Sequence, residues 1–152
     1  MQAPDYYAIE LELKALLESD ETLQGVAFAV EEEVMFGMDM TPWIGLYMVD
    51  RISAQNQFLA ANQKQVYHLQ WSIWVFVFNI ELAPAIQECS RVTGLLEIAL
   101  MNNSTISNMV EFSYLEGGTL PTRVPNGNGM PDAGVVICAE VRLTSELIIS
   151  TT

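Results

Sequence analysis

Apolar residues at Ile9, Leu13, Leu16 and Leu17 return at helical spacing, and the pattern predicts an amphipathic helix over residues 5–19. Asp5 stands where a cap belongs, and Glu10 lies four residues before Lys14, a pairing that supports the helix. Val26, Phe28 and Val30 alternate and predict a strand over residues 26–31, although the Ala and Glu content leaves a helix open. Residues 43–50, WIGLYMVD, are apolar at nearly every position. Such a run suits a strand covered on both faces, either by its own domain or by the domain on one side and a partner on the other. Residues 53–65 have no period and are rich in Gln, Asn and Ala, which predicts a long connection or arm carrying the apolar pair Phe58 and Leu59.

Residues 65–79, QVYHLQWSIWVFVFN, form the longest predicted strand. One face carries Tyr67, Leu69, Trp71, Ile73, Val75 and Val77, and the other carries His68, Gln70, Ser72, Trp74, Phe76 and Phe78. The second face is polar in its first half and aromatic in its second, so a helix is expected to cover only the aromatic half. That helix follows over residues 82–102, with Ile86, Cys89, Val92, Leu96, Ala99 and Leu100 at steps of three and four and Pro84 in its first turn. Gly94 weakens it by about 1 kcal/mol relative to Ala, which suggests a close backbone approach there. Two more strands are expected, over residues 109–118 and 135–147, while the glycines and prolines of residues 118–134 argue against regular structure between them. The sum is a single α+β domain over residues 1–152: a mainly antiparallel sheet of four to five strands with two helices packed on it.

Composition narrows what such a domain can do. With 152 residues, 51% of them hydrophobic, the chain can form one core without disulfides or metals. It carries 19 acidic against 6 basic residues, a formal net charge of −13. The basic residues are scattered, so no patch exists for gripping a phosphate backbone. The first residues have neither a basic nor an apolar leader segment, and a reducing cytoplasm is the expected setting for Cys89 and Cys138. The longest apolar run, residues 73–78, is far shorter than the ~20 residues of a membrane-spanning helix.

No motif for catalysis emerges. His68 is the one imidazole, no Gly-x-Ser-x-Gly turn accompanies it, and a solvated strand residue is the simpler reading. One His and two distant Cys lack the spacing of a zinc site. The NGNG of residues 126–129 reads as a turn, since no strand and helix flank it as a nucleotide fingerprint requires. Glu31, Glu32 and Glu33 with Asp39 could in principle hold Mg²⁺ or Ca²⁺, but a solvated edge explains them. Cys89 and Cys138 fall at core positions. The expectation is a protein without cofactor or catalytic role, finished at its surface by neighbours.

The order of elements resembles a known family. The N-terminal helix, PWIGLYMVD, the long loop, YHLQWSIWVFVFN, the helix APAIQECSRVTGLLEIALMNN and the closing SNMVEFSYLEGG and GVVICAEVRLTSEL are similar to the tail terminator, or tail completion, proteins of long-tailed bacteriophages. The resemblance implies a hexameric ring of identical subunits that sits on the last ring of the tail tube, stops its polymerisation and offers a surface to the head. Its partners would be further copies of itself, the tail tube protein and a head-tail connector or neck protein. DNA would pass through without specific binding, and no cofactor or membrane would be involved. The location would be the virion, at the head-tail joint, after assembly in the host cytoplasm. In such a ring Trp43, Tyr47, Trp71 and Trp74 of the sheet, with Phe58 and Leu59 of the arm, are the candidate subunit or tube contacts. Glu31, Glu32 and Glu33 are candidates for an acidic lumen that repels phosphate. The loops at residues 53–65 and 119–132 are the expected contacts to tube or head. Two other readings remain open: a head-completion or neck connector protein, and a small acidic ligand-binding domain using its Met- and aromatic-rich sheet.

Overall fold

The structure, a computed structural model, describes residues 3–32, 42–53, 64–125 and 134–150. Helix α1 spans Tyr6–Glu18, and the Asp5 carboxylate accepts the Ala8 N–H at 3.0 Å. Its inward stripe is Ile9, Leu13 and Leu17, with Glu10 beside them at 4% exposure. Lys14 therefore reaches Glu18, at 3.5 Å, and not Glu10, because Glu10 has turned into the protein. After a 3₁₀ turn at Glu21–Leu23 come β1 (Ala27–Val30), β2 (Trp43–Ser53), β3 (Lys64–Asn79), α2 (Leu82–Asn102), β4 (Phe112–Gly118), β5 (Thr122–Arg123) and β6 (Val135–Ser150).

The strands form one six-stranded sheet in the order β1-β2-β3-β6-β4, with the two-residue β5 also paired to β6. Four pairings are antiparallel and β1 runs parallel to β2, so the sheet is mixed, in an α+β fold. β5 is the strand beyond the expected four or five. It falls in the Gly- and Pro-rich segment expected to be irregular, where the Thr122 and Arg123 backbones line up with Cys138 and Ile137. β4 begins at Phe112, three residues later than its alternation suggested. Ile106, Ser107 and Asn108 take left-handed conformations, with φ of 47°, 55° and 64°, in a turn that drives Ile106 fully into the core. A β-branched residue pays a steric penalty there, and burial of its side chain offsets it.

β3 and β6 pair over sixteen positions from Lys64↔Ser150 to Asn79↔Val135 without a slip. At about 3.3 Å per residue this ladder is about 50 Å long. Both helices pack on the same side of the sheet, where they meet Leu69, Trp71, Ile73, Val75 and Val77 of β3 and Ile137, Ala139, Val141 and Leu143 of β6. The helices thus cover the face opposite to the one expected. The all-apolar face of β3 is the longer dry surface, and burying it removes more area from water than burying the half-aromatic one would. Trp71 belongs to this core at 1% exposure, its indole N–H donating to the Ser145 hydroxyl at 3.0 Å.

Candidate assembly surface

With both helices on one side, the other face of the sheet is left without a covering layer among the described residues. The register decides what it carries. Trp43 lies beside Phe76, Gly45 beside Trp74 and Tyr47 beside Ser72, all on this face. Across β3 and β6, Trp74 pairs with Glu140, Ser72 with Arg142 and His68 with Glu146.

The result is a face in two parts. Toward the C-terminal end of β3, Trp43 and Phe76 rings meet at 5.6 Å and Trp74 and Phe76 stack at 6.2 Å. Gly45 allows the Trp43 and Tyr47 rings to lean together. A Cβ at that position would come within 2.8 Å of both. Toward the other end the face is polar: Glu140 accepts from the Ser72 hydroxyl and from the Arg142 guanidinium, the latter at 2.8 Å. His68 Nε2 lies 3.6 Å from the Glu146 carboxylate, which gives the imidazole a place in this polar half. On β4, Phe112 and Tyr114 stack at 5.9 Å and are 44% and 40% exposed.

Of the expected contact residues, the structure brings Trp43, Tyr47 and Trp74 together on this face. It removes Trp71, whose odd-numbered position on β3 turns it to the helices; its fit in the core leaves no surface to offer a partner. Phe58, Leu59 and Glu33 lie outside the described residues. Glu31 and Glu32 are exposed at the end of β1, but they do not form a simple solvated edge. Glu31 takes φ 54°, and its carboxylate accepts the Met48 N–H at 2.9 Å, while the Glu32 carbonyl accepts the Tyr47 hydroxyl. Burial, with Glu31 and Glu32 nearby, holds the Tyr47 phenol above its ordinary range.

Glu10, which the sequence offered only as a partner for Lys14, joins this corner. Its carboxyl is pushed up to about 8, first by burial and then by Glu31 beside it, and its Oε2 has no hydrogen-bond partner. It lines a cavity of about 300 Å³ with Tyr6, Met48, Val49, Asp50 and Arg51. The Arg51 guanidinium lies over the Tyr6 and Tyr67 rings, at 5.3 and 5.0 Å, and donates to the Tyr6 hydroxyl at 2.9 Å. Nothing in the periodicity separates a buried glutamate from a solvated one on a helix, so this corner becomes visible only when α1 meets β1.

The same corner finishes the edge of the sheet. Among the described residues β1 pairs β2 only at Trp43 to Leu46, beyond which β2 runs on as an edge. There the Met48 N–H is taken by Glu31, the register slips between Met48 and Asp50, and the Arg51 N–H is taken by the Asp50 carboxylate at 2.7 Å. Side-chain caps and a bulge are the means by which a sheet edge is kept from pairing with another strand.

The thiols are not poised for chemistry. Burial pushes Cys89 up to about 11 and also raises Cys138. Among the described residues no three His, Cys, Asp or Glu side chains gather as a metal site, and no helix is long and apolar enough to cross a membrane. No protein-family model matches this chain, and no curated protein matches its sequence.

Proposed function

We propose that this chain is a structural virion protein of the tail terminator type, which caps a phage tail tube as a hexameric ring, ends tube growth and offers the surface to which the head joins. The carrying observation is the sheet face on which Trp43, Tyr47 and Trp74 lie together and stay partly exposed, while both helices among the described residues pack on the other side. Aromatic residues concentrate at the centres of protein interfaces, and a sheet face that keeps them partly exposed offers such a centre to a neighbour. The net charge of −13 suits a ring whose bore must let DNA slide, since acidic groups repel phosphate. The role is one of assembly and not of catalysis, with no cofactor.

Mass measurement in solution over a wide concentration range, followed by negative-stain imaging, tests this directly. Closed rings of six subunits that block growth of tail tubes support the reading; a protein that stays monomeric at every concentration and does not block tubes overturns it. A head-tail neck position uses the same kind of ring and is separated by which end of a purified tail the protein binds. A small ligand-binding domain is the other reading, favoured by the cavity at Tyr6, Glu10 and Arg51. A strict monomer that takes up a metabolite there would establish it.

A further inference from the structure

The corner where α1 meets β1 and β2 holds the cavity of about 300 Å³ walled by Tyr6, Glu10, Met48, Val49, Asp50 and Arg51, a volume at the lower end of small-molecule sites. Glu10 is 4% exposed, and its Oε2 is buried without a hydrogen-bond partner. An acceptor so placed costs stability until something donates to it. Donors of this wall are engaged elsewhere. The Met48 N–H goes to Glu31, the Arg51 N–H goes to Asp50, and the Arg51 guanidinium is drawn to the Tyr6 hydroxyl and over the Tyr6 and Tyr67 rings. The charge is one-sided as well: Glu10, Asp50 and, beside Glu10, Glu31 set three carboxyl groups against one guanidinium.

We propose that this cavity binds a primary ammonium on a short aliphatic chain, whose N–H groups donate to Glu10 while the chain lies against Met48 and Val49. The proposal deepens the ligand-binding reading of this cavity and does not depend on whether the chain forms rings. An anion is opposed by carboxyl groups that outnumber the guanidinium. A neutral apolar molecule fills the space but leaves the Glu10 oxygen unpaired. An ammonium supplies both the donors and the opposite charge. Arg51 is exposed, so water and salt screen its repulsion. The groups around Glu10 are Tyr6 of α1, Glu31 at the end of β1, and Asp50 and Arg51 of β2, while Lys14 is turned to Glu18. Burial and Glu31 hold the Glu10 proton up to about pH 8. A bound ammonium takes the place of that proton, which passes to the buffer, so affinity rises with pH up to about 8. The ligand stays charged over this range, since an alkylammonium loses its proton only near about 10.4.

The test titrates the full chain with n-butylamine, n-butanol and butyrate at pH 6 and pH 8.5. Calorimetry in two buffers of different ionisation enthalpy reads proton release, and NMR of the methionine methyls reads the place of binding. Butylammonium alone is expected to bind and to shift the Met48 methyl, about tenfold or more tightly at pH 8.5 than at pH 6, with a proton released at pH 6. Glu10→Gln is expected to weaken binding about tenfold or more at pH 8.5 and to abolish the proton release. Val49→Trp, at a wall position that is 61% exposed, fills the space if Glu10→Gln fails to fold, and is expected to weaken binding likewise. A lysine blocked at both ends separates the two sources of such a group. If it binds as butylamine does, the site accepts a lysine side chain of a partner; if it does not, the site takes free amines, and either result supports the ammonium. Butylammonium that binds no better than butanol, leaves the Met48 methyl unmoved, or binds folded Glu10→Gln as tightly as wild type overturns the proposal. If butyrate or butanol shifts Met48 and butylammonium does not, the cavity remains a ligand site and the ammonium is wrong. If none of the three binds, the ligand-binding reading falls as well.

Discussion

Glu10 is the residue whose behaviour departs most from its place in the pattern. The folded protein holds its proton up to about pH 8, whereas the ordinary value of 4.5 applies to the unfolded chain. The folded state therefore binds the extra proton, and the stability linked to Glu10 is full below pH 4.5, declines as pH rises toward 8 and is level above. Glu10→Gln keeps a hydrogen-bonding amide without the charge. It is expected to match wild type at pH 5 and to exceed its stability by about 1–3 kcal/mol at pH 8.5, as measured by urea denaturation at the two pH values. An equal difference at both pH values would disprove the linkage. Ser145 gives a second residue-scale expectation, because its hydroxyl serves both the Trp71 indole and the Ser113 hydroxyl. Ser145→Ala strands a buried N–H and should lower stability by about 1–3 kcal/mol, with a change in near-ultraviolet circular dichroism from Trp71.

At the scale of the element, α2 combines regular capping of the core with a weakness in its outer wall. Gly94→Ala fills no occupied space and adds helix propensity, so it should raise the unfolding free energy by up to about 1 kcal/mol in the monomer. Thermal melts below the assembly concentration measure this, and a lower melting point would mean that the glycine serves the fold itself. Strong periodicity made α2 legible to the residue, and it made β3 and the two faces of β3 legible as well. Which face the helices cover was not legible, since Trp74, Phe76 and Phe78 are as apolar as Leu69, Trp71 and Ile73 when counted one by one. The choice depends on how far each apolar face continues into β6 and β2, and that is a property of register. Trp71 was misplaced for the same reason: an aromatic at an alternating position reads as core or contact with equal ease. The parallel pairing of β1 was equally hidden, because a four-residue strand records its composition and not its direction.

For the whole molecule, a net charge of −13 on each copy opposes any self-association by long-range repulsion, while the sheet-face aromatics proposed to favour it act at short range and carry no charge. Raising salt screens the first without removing the second. Assembly is therefore expected to shift to lower protein concentration between 20 mM and 500 mM NaCl, the reverse of what ion-pair-driven association gives; sedimentation at the two salt concentrations reads the difference. The acidic character and single core were legible from composition alone. The candidate surface was legible only in part: Trp43, Tyr47 and Trp74 could be named, but the ladder that sets them side by side could not. The carboxylate caps at Met48 and Arg51 have a consequence at this scale too. Strands that meet edge to edge at high concentration grow into fibres, and along this border the growing point is occupied by the chain's own side chains. Copies can crowd together there without being spliced into one endless sheet, so crowding favours an assembly of finite size over a fibre.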